Sequence, residues 1–299
     1  MGNISPYLLL VISIFAALVF STSNKIFSNK QPSVALKSLG VSIFSLVSCL
    51  TLYIWDGFGN ISTFSLVFGI LFGVVAFLAN IMMLSAFSLG PWSYTYVMIC
   101  LSMLMPAFSG ALFWGEKIGI LQYVGTLLVI VCIILSVDKK ADDKKANIKW
   151  LLCTVAAFLM SGSVGIMQKV HQTSQYKNEL SGFLIVSFFA GAVLSLVSAL
   201  ISKIKEKQGT EKKEGIKSWK EIVALAVIFV LIGVSGAANH KLNLYLSGVL
   251  PSAVFFPAVN GGPLVLASLT AFIFFKERLS KKQWIGLLIG TAAVFLLTI

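Results

Sequence analysis

The chain has 299 residues, of which 58% are hydrophobic and only 11% are charged, with a mean hydropathy of +0.93. Soluble domains carry roughly 25% charged residues, so this composition excludes an ordinary soluble protein and points to the lipid bilayer as the solvent. The net charge of +12 arises from basic residues in a few loops between apolar runs. That pattern is typical of an oriented membrane protein and gives no indication of nucleic-acid binding.

Ten apolar runs are long enough to span a bilayer as helices, for which about 20 residues suffice. They cover residues 6–27, 34–55, 62–88, 92–114, 118–137, 148–170, 181–203, 220–246, 250–274 and 280–298. The sequence therefore predicts an all-α integral membrane protein with ten transmembrane helices. No Lys or Arg precedes the first run, so we interpret it as a retained helix and not as a signal peptide.

The end of run four and the start of run five recur near the end of the chain. Trp114-Gly-Glu-Lys117 and Gln122-Tyr-Val-Gly125 return 161 positions later as Phe275-Lys-Glu-Arg278 and Gln283-Trp-Ile-Gly286. Such a fixed-period echo indicates an internal duplication. The predicted domains are a first five-helix repeat (1–137), a linker (138–149) and a second five-helix repeat (150–299).

The second repeat is predicted to be inverted, because five crossings per repeat is an odd number. Two inverted five-helix repeats are typical of secondary transporters, whose binding site lies near the membrane midplane between the repeats. The membrane side that the loops after runs one, five, seven and nine reach holds 19 of the 23 basic residues, counted with those at the adjoining helix ends. The positive-inside rule then places these loops in the cytoplasm and both termini outside the cell, in the plasma membrane.

The ten spans, the inverted repeat and the helix ending in Gly-Glu-Lys or Lys-Glu-Arg before a Gln-x-x-Gly helix resemble the drug/metabolite transporter superfamily. More narrowly, the chain resembles the EamA-type transporters over nearly its whole length. The resemblance implies a small-solute carrier that works by alternating access, with the first four helices of each half around a central cavity. It also implies that the fifth and tenth helices pack at the periphery or in a dimer interface.

Polar residues inside apolar runs are the first candidates for solute binding, because they are costly in a bilayer unless they face a cavity or a partner. Run eight carries Asn239, His240 and Asn243, and run three carries Asn80 at the equivalent place. Asn239 and Asn243 are four positions apart and share a helix face. The alternatives are hydrogen bonds between helices, and snorkelling of Lys241 to the outer headgroups.

Aromatic residues at equivalent positions of the two halves are the second set of candidates. Run four opens with Trp92, Tyr94 and Tyr96, and run nine contains Phe256 and Asn260. We expect Pro257, Gly261, Gly262 and Pro263 to interrupt run nine near its middle and to free backbone carbonyls for a solute. Such a pocket would suit an aromatic, heterocyclic or cationic organic solute. The alternative is an interfacial aromatic belt.

Two further pairs of polar residues mark helix ends. Asn24 and Gln168 close the first helix of each half and are candidate gates, with helix-end capping as the alternative. Glu116 and Glu277 are each followed by a basic residue at a membrane surface. We interpret these two acids as elements of topology and packing.

The sequence predicts no cofactor, no metal site and no enzymatic activity. The four cysteines are isolated, no phosphate-binding loop occurs, and every acidic residue lies at a helix end or in a loop. Coupling, if there is any, would use His240, His171 or a bound cation, and facilitated diffusion or exchange is equally compatible. The predicted partners are a small organic solute and the bilayer, and two GxxxG spacings (Gly69 with Gly73, Gly286 with Gly290) are compatible with a homodimer.

The main prediction is a secondary transporter that moves a small organic metabolite by alternating access. Two other classes stay open: an integral-membrane enzyme that modifies lipid, and a receptor or assembly factor that transports nothing.

Overall fold

A computed structural model describes residues 4–29, 33–89, 92–136, 148–208, 219–274 and 280–298. Within these ranges every regular element is helical and no strand occurs. The α-helices are α1 (Pro6–Asn29), α2 (Val34–Asp56), α3 (Thr63–Leu89), α4 (Trp92–Leu101), α5 (Leu104–Trp114), α6 (Ile120–Ser136), α7 (Ile148–Thr173), α8 (Leu180–Gln208), α9 (Trp219–Val249), α10 (Ser252–Phe274) and α11 (Lys281–Thr298). A short 3-10 helix (Lys177–Glu179) precedes α8.

The predicted all-helical character is confirmed, and each apolar run of the sequence is helical. Six helices are long and apolar enough to cross a membrane: α1, α2, α3, α7, α8 and α9. Shorter apolar helices cover Met98–Trp114, Ile120–Leu135 and Trp284–Ala293. Most of the predicted linker 138–149, and the repeated motif at Phe275–Arg278, lie outside the described residues.

The expected break in run nine is wrong, and the break occurs in run four instead. Helix α10 is continuous although Pro257 and Pro263 lie inside it. Each proline removes only one helical hydrogen bond. Side chains packed on the neighbouring glycines support the helix there: Val129 lies against Gly261, and Ile14 lies against Gly262.

Run four is split into α4 and α5 at Ser102 and Met103. Pro106 has no N–H to donate to the Ser102 carbonyl, and the Met105 N–H donates to that oxygen instead, at 3.1 Å. The Ser102 and Met103 N–H groups likewise reach only three residues back, to Ile99 and Cys100. This tighter turn interrupts the α-helix just before the proline.

The helices form two compact units, which we call unit 1 and unit 2. Unit 1 comprises residues 1–14, 78–175 and 242–299, and unit 2 comprises residues 15–77 and 176–241. Each predicted sequence half contributes to both units. Helices α1, α3 and α9 run from one unit into the other.

The core of unit 1 is apolar and is built from α1, α5, α6, α9, α10 and α11. One buried cluster joins Leu10 of α1 to Leu246 of α9 and Phe255 of α10. A second cluster joins Val129 of α6 to Ala293 of α11. Helices α6 and α11 are antiparallel, because the α11 residue Leu297 lies against Gly125 while Gly290 lies against Cys132 of α6.

Unit 2 is organised around α2 and α8, which pack along each other. They are antiparallel, since Ser42 donates to the Ala192 carbonyl (2.9 Å) and Cys49 donates to the Ile185 carbonyl (3.4 Å). Helix α3 runs parallel to α8 at very close range. A Cβ placed on Gly73 would lie 2.5 Å from the Ser187 carbonyl oxygen.

The outer surfaces of the helices are apolar. Large hydrophobic side chains stay exposed along the helices, among them Ile54, Leu112 and Ile120. A soluble monomer rarely exposes such surfaces, whereas lipid chains cover them without cost. The structure is therefore that of a multi-pass membrane protein.

The close approach of α3 to α8 predicts opposite effects for two Gly-to-Ala substitutions. Gly73→Ala should destabilise the protein by about 2 kcal/mol, because the neighbouring atom is backbone and cannot move aside. Gly191→Ala in α8, where nothing lies within 4 Å, should be neutral or stabilising by up to about 1 kcal/mol. Unfolding in mixed micelles measures both changes, and equal effects would contradict the packing.

Candidate functional site

The predicted solute-binding and gate residues are divided between the two units. Unit 1 contains Asn80, Trp92, Tyr94, Tyr96, Gln168, Asn243, Phe256 and Asn260, and unit 2 contains Asn24, Asn239 and His240. The backbone at Trp92, Tyr94 and Tyr96 belongs to α4, but their side chains lie outside what the structure describes.

Within unit 1, Asn243 is the predicted residue with a clear partner on another helix. Ser13 of α1 donates to its side-chain oxygen at 2.6 Å. Within unit 2, His240 packs edge-on against the Phe188 ring, with ring centres 5.3 Å apart. His240 and Asn243 both lie on α9. Asn239 is on the same helix, four positions before Asn243, so these two asparagines share a helix face, as predicted.

Other predicted residues have hydrogen bonds within their own helix, are buried, or are exposed. Asn260 is exposed and donates to the Phe256 carbonyl of its own helix at 2.8 Å, and Asn24 likewise donates to the Phe20 carbonyl at 2.9 Å. Phe256 is buried against Phe255. Asn80 is exposed and Gln168 is buried. The roles of these residues in solute binding, and of Asn24 and Gln168 as gates, stay predictions.

The strongest polar arrangement in unit 1 surrounds Glu116, which follows α5. Its Oε1 lies 2.6 Å from Nζ of Lys169, which belongs to α7 and is only 4% exposed. Its Oε2 accepts the backbone N–H of Ser252, the first residue of α10, at 2.6 Å. One carboxylate therefore joins the ends of three helices.

Two glycines, one inside α5 and one directly after it, make room for this carboxylate. Gly115 ends the helix with φ at +63°, a left-handed conformation that costs other residues about 1 kcal/mol or more. The chain then turns back, and the Glu116 N–H donates to the Gly110 carbonyl at 3.1 Å. A Cβ on Gly110 would lie only 2.2 Å from Oε2 of Glu116.

The cation of this site comes from another helix and not from the neighbouring residue. The sequence suggested that Glu116 is accompanied by Lys117, but Lys117 is exposed and the ion pair is with Lys169. Lys169 also lies 3.4 Å from the Leu250 carbonyl at the start of α10. Its charge is therefore matched by a carboxylate and a backbone oxygen, which a buried cation requires.

Polar groups of α7 extend this region of unit 1. The His171 ring is fully buried, and its Nδ1 lies 3.1 Å from Nε2 of Gln172. Gln172 packs on Gly248 at the end of α9. Trp114 donates through Nε1 to the Thr173 hydroxyl at 3.0 Å.

Unit 2 holds a second ion pair, between Asp56 at the end of α2 and Lys241 in α9. Oδ2 of Asp56 lies 2.5 Å from Nζ of Lys241 and also accepts the Ser181 hydroxyl of α8. The Lys241 ammonium group lies 5.7 Å from the centre of the Trp55 ring, within the range of a cation–π contact. Lys241 is therefore bound to protein groups of α2.

A second acid of unit 2, Glu179, caps a helix. Its Oε2 accepts both the N–H and the hydroxyl of Ser62, at 2.9 and 2.7 Å, at the start of α3. The Ser62 hydroxyl in turn accepts the Ser65 N–H at 3.2 Å. Glu179 thus strengthens an ordinary serine N-cap.

These contacts had one signal in the sequence. The predicted topology assigns only four lysines to the side that is poor in basic residues, namely Lys117, Lys169, Lys177 and Lys241. The acids Asp56, Glu116 and Glu179 are assigned to the same side. A few charges of both signs at the ends of apolar helices predict pairing, although not which residues pair.

Comparisons with known proteins show a similar fold but do not show an activity. No family model matches the chain. An uncharacterised protein of Haemophilus influenzae is 21% identical over 200 residues, which is 66% of this chain and 63% of that relative. A solved crystal structure shares 16% identity and a TM-score of 0.70 over 97% of this chain and 98% of that one. At this identity the likeness shows the fold alone.

The Glu116–Lys169 contact predicts non-additive effects of mutation. Glu116→Gln and Lys169→Met should each destabilise the protein by about 2–4 kcal/mol, because each leaves one charge without its partner. The double variant should be destabilised by about 1–3 kcal/mol less than the sum of the two single destabilisations. Equilibrium unfolding in mixed micelles measures the cycle, with Lys117→Met as a near-neutral control. Strict additivity would show that the two charges do not interact.

Proposed function

We propose that the protein is a secondary transporter that moves a small organic metabolite by alternating access between two inverted five-helix repeats. In this proposal the ten helical runs all cross the membrane, and α4 and α5 together form the fourth crossing. The proposal agrees with the resemblance of the sequence to EamA-type transporters.

One observation carries the proposal: helices from equivalent positions of the two sequence halves pack against each other. Within unit 1, α5 packs on α10 and α6 packs on α11, and within unit 2, α2 packs on α8. The α6–α11 pair and the α2–α8 pair are antiparallel, as an inversion of the second half requires. Such pairing of matched helices favours a two-fold structural relation between the two halves over a chance similarity of their sequences.

The contacts between α6 and α11 support the same relation in detail. Gly290 lies against Cys132. Their counterparts 161 positions away are Val129 and Ala293, and these two residues belong to one buried cluster. The counterparts of one contacting pair therefore lie in the same buried cluster, which agrees with a two-fold relation between the halves.

Buried charge in the helical bundle also favours a transporter. Lys169 and Glu116 are held between apolar helices, where charged groups are rare and are usually associated with function. The alternative of a lipid-modifying enzyme would require a cluster of acids, histidines or a nucleophile with its base. Among the described residues no group of three or more His, Cys, Asp or Glu side chains could hold a metal ion.

Transport by purified protein in liposomes tests this proposal directly. A panel of amino acids, nucleobases, sugars and quaternary amines should include at least one solute with protein-dependent, saturable flux. Asn260→Ala should lower that flux at least tenfold with unchanged expression, because Asn260 is proposed to orient the solute, while Asn178→Ala in the 3-10 helix should not. Absence of both flux and thermal stabilisation across the panel would contradict the carrier proposal.

The proposed topology places both termini outside the plasma membrane. In a cysteine-free background, Lys177→Cys should therefore react with a membrane-impermeant maleimide added to intact cells. Lys220→Cys should react only after permeabilisation, because it lies at the start of α9, next to the predicted cytoplasmic loop between runs seven and eight. Both side chains are exposed. The reverse labelling pattern would invert the proposed orientation.

A further inference from the structure

The Glu116 carboxylate occupies a cradle whose other walls are all suited to an anion. Lys169 supplies a buried ammonium group at 2.6 Å and Ser252 supplies a backbone N–H at 2.6 Å. Gly110 lies beside these groups without a side chain, and a Cβ there would collide with the Glu116 carboxylate. These are the groups by which proteins bind carboxylates: a cation, and the N–H groups at a helix N-terminus.

One polar atom of the cradle is left unused. The Ser252 hydroxyl is fully buried and has no hydrogen-bond partner in the described part of the chain. It lies beside the Glu116 carboxylate, since a Cβ on Gly110 would be 2.7 Å from this hydroxyl and 2.2 Å from the Glu116 oxygen. A buried hydroxyl without a partner is energetically unfavourable, so the cradle offers a donor that Glu116 does not satisfy.

Glu116 is attached to the cradle by a short connection and not by a rigid helix. It follows Gly115, where α5 ends, and its side chain is 19% exposed, in contrast with the 5% of Lys169. The Glu116 side chain is therefore more accessible from outside the protein than the side chain of Lys169. Rotation of the Glu116 side chain would vacate the cradle and leave Lys169, the Ser252 N–H and the Ser252 hydroxyl in place.

We propose that this cradle binds the carboxylate group of the transported solute, and that Glu116 is a tethered carboxylate that occupies it when no solute is bound. This inference rests on the proposed transport function and narrows its substrate class to small organic carboxylates. Exchange of one carboxylate for another keeps the Lys169 charge matched throughout, which avoids the cost of an unpaired buried cation. It also releases α5 from α7 and α10 when the solute binds.

The cradle predicts binding of a free carboxylate when the tethered one is removed. In purified Glu116→Ala, sodium acetate and sodium benzoate should raise the apparent melting temperature saturably by several degrees, at ionic strength kept constant with sodium chloride. Acetamide and benzamide, which match them in shape but carry no charge, should have no effect. Wild-type protein should require at least tenfold more acetate, since Glu116 competes for the same place.

Matched variants distinguish acetate binding in the cradle from a general effect of salt on the melting temperature. Glu116→Ala/Lys169→Met should lose the response to acetate, while Glu116→Ala/Lys117→Met should keep it, because Lys117 is exposed and faces no carboxylate of the cradle. If Glu116→Ala does not fold, Glu116→Gln is the substitute, with a smaller response in the same order. An equal response to acetamide, or an unchanged response without Lys169, would overturn the proposal.

Flux measurements distinguish failure of this inference from failure of the transport proposal. Among solutes that the wild-type protein carries in liposomes, carboxylates should be carried at least tenfold faster than their amides, and Lys169→Met should abolish that preference while Lys117→Met preserves it. Flux confined to uncharged or cationic solutes would refute the carboxylate cradle and leave the transporter intact. No flux for any solute would contradict both.

Discussion

The Glu116 carboxylate is the contact on which the architecture of unit 1 depends. It binds the buried ammonium group of Lys169 and the first N–H of α10 while it is attached to the end of α5. In an apolar solvent polar groups must find partners within the protein, so these two contacts hold the three helices where their polar groups can meet. The Asp56–Lys241 pair has the same role in unit 2, where it joins α2 to α9.

Small residues determine how closely the helices pack around these charges. Gly73 brings α3 onto the backbone of α8, Gly233 brings α9 onto Val47 of α2, and Gly290 brings α11 onto Cys132 of α6. Bilayer lipids are as apolar as the side chains, so close packing and polar contacts stabilise such a bundle more than hydrophobic burial does. The GxxxG spacing of Gly69 and Gly73 is used in this way, inside unit 2.

The helices were predictable from the sequence because their signal is local and strong. Each apolar run became helical, with ends within a few residues of the prediction, since the length needed to cross a bilayer is a constraint on consecutive residues. The sequence predicts the broken helix in the second half, whereas the break lies in the first. The number of prolines alone does not show whether neighbouring residues support the helix backbone. Pro257 and Pro263 lie in a helix that is packed at Gly261 and Gly262, whereas Pro106 follows a turn. The ion pairs were not predictable, because Glu116 and Lys169 are separated by most of two helices and meet only through the left-handed turn at Gly115.

The interruption of run four has an electrical consequence. Helices α4 and α5 have 10 and 11 residues, so each is about 15 Å long and reaches only halfway through the roughly 30 Å hydrocarbon layer. In the proposed topology, in which α4 and α5 together form the fourth crossing, the C-terminal end of α4 and the N-terminal end of α5 would meet near mid-depth, with helix dipole ends of opposite sign facing each other. Ser102 and Met103 at this junction are buried within the protein. The backbone itself would then place a polar point within the apolar layer, without any ionisable side chain.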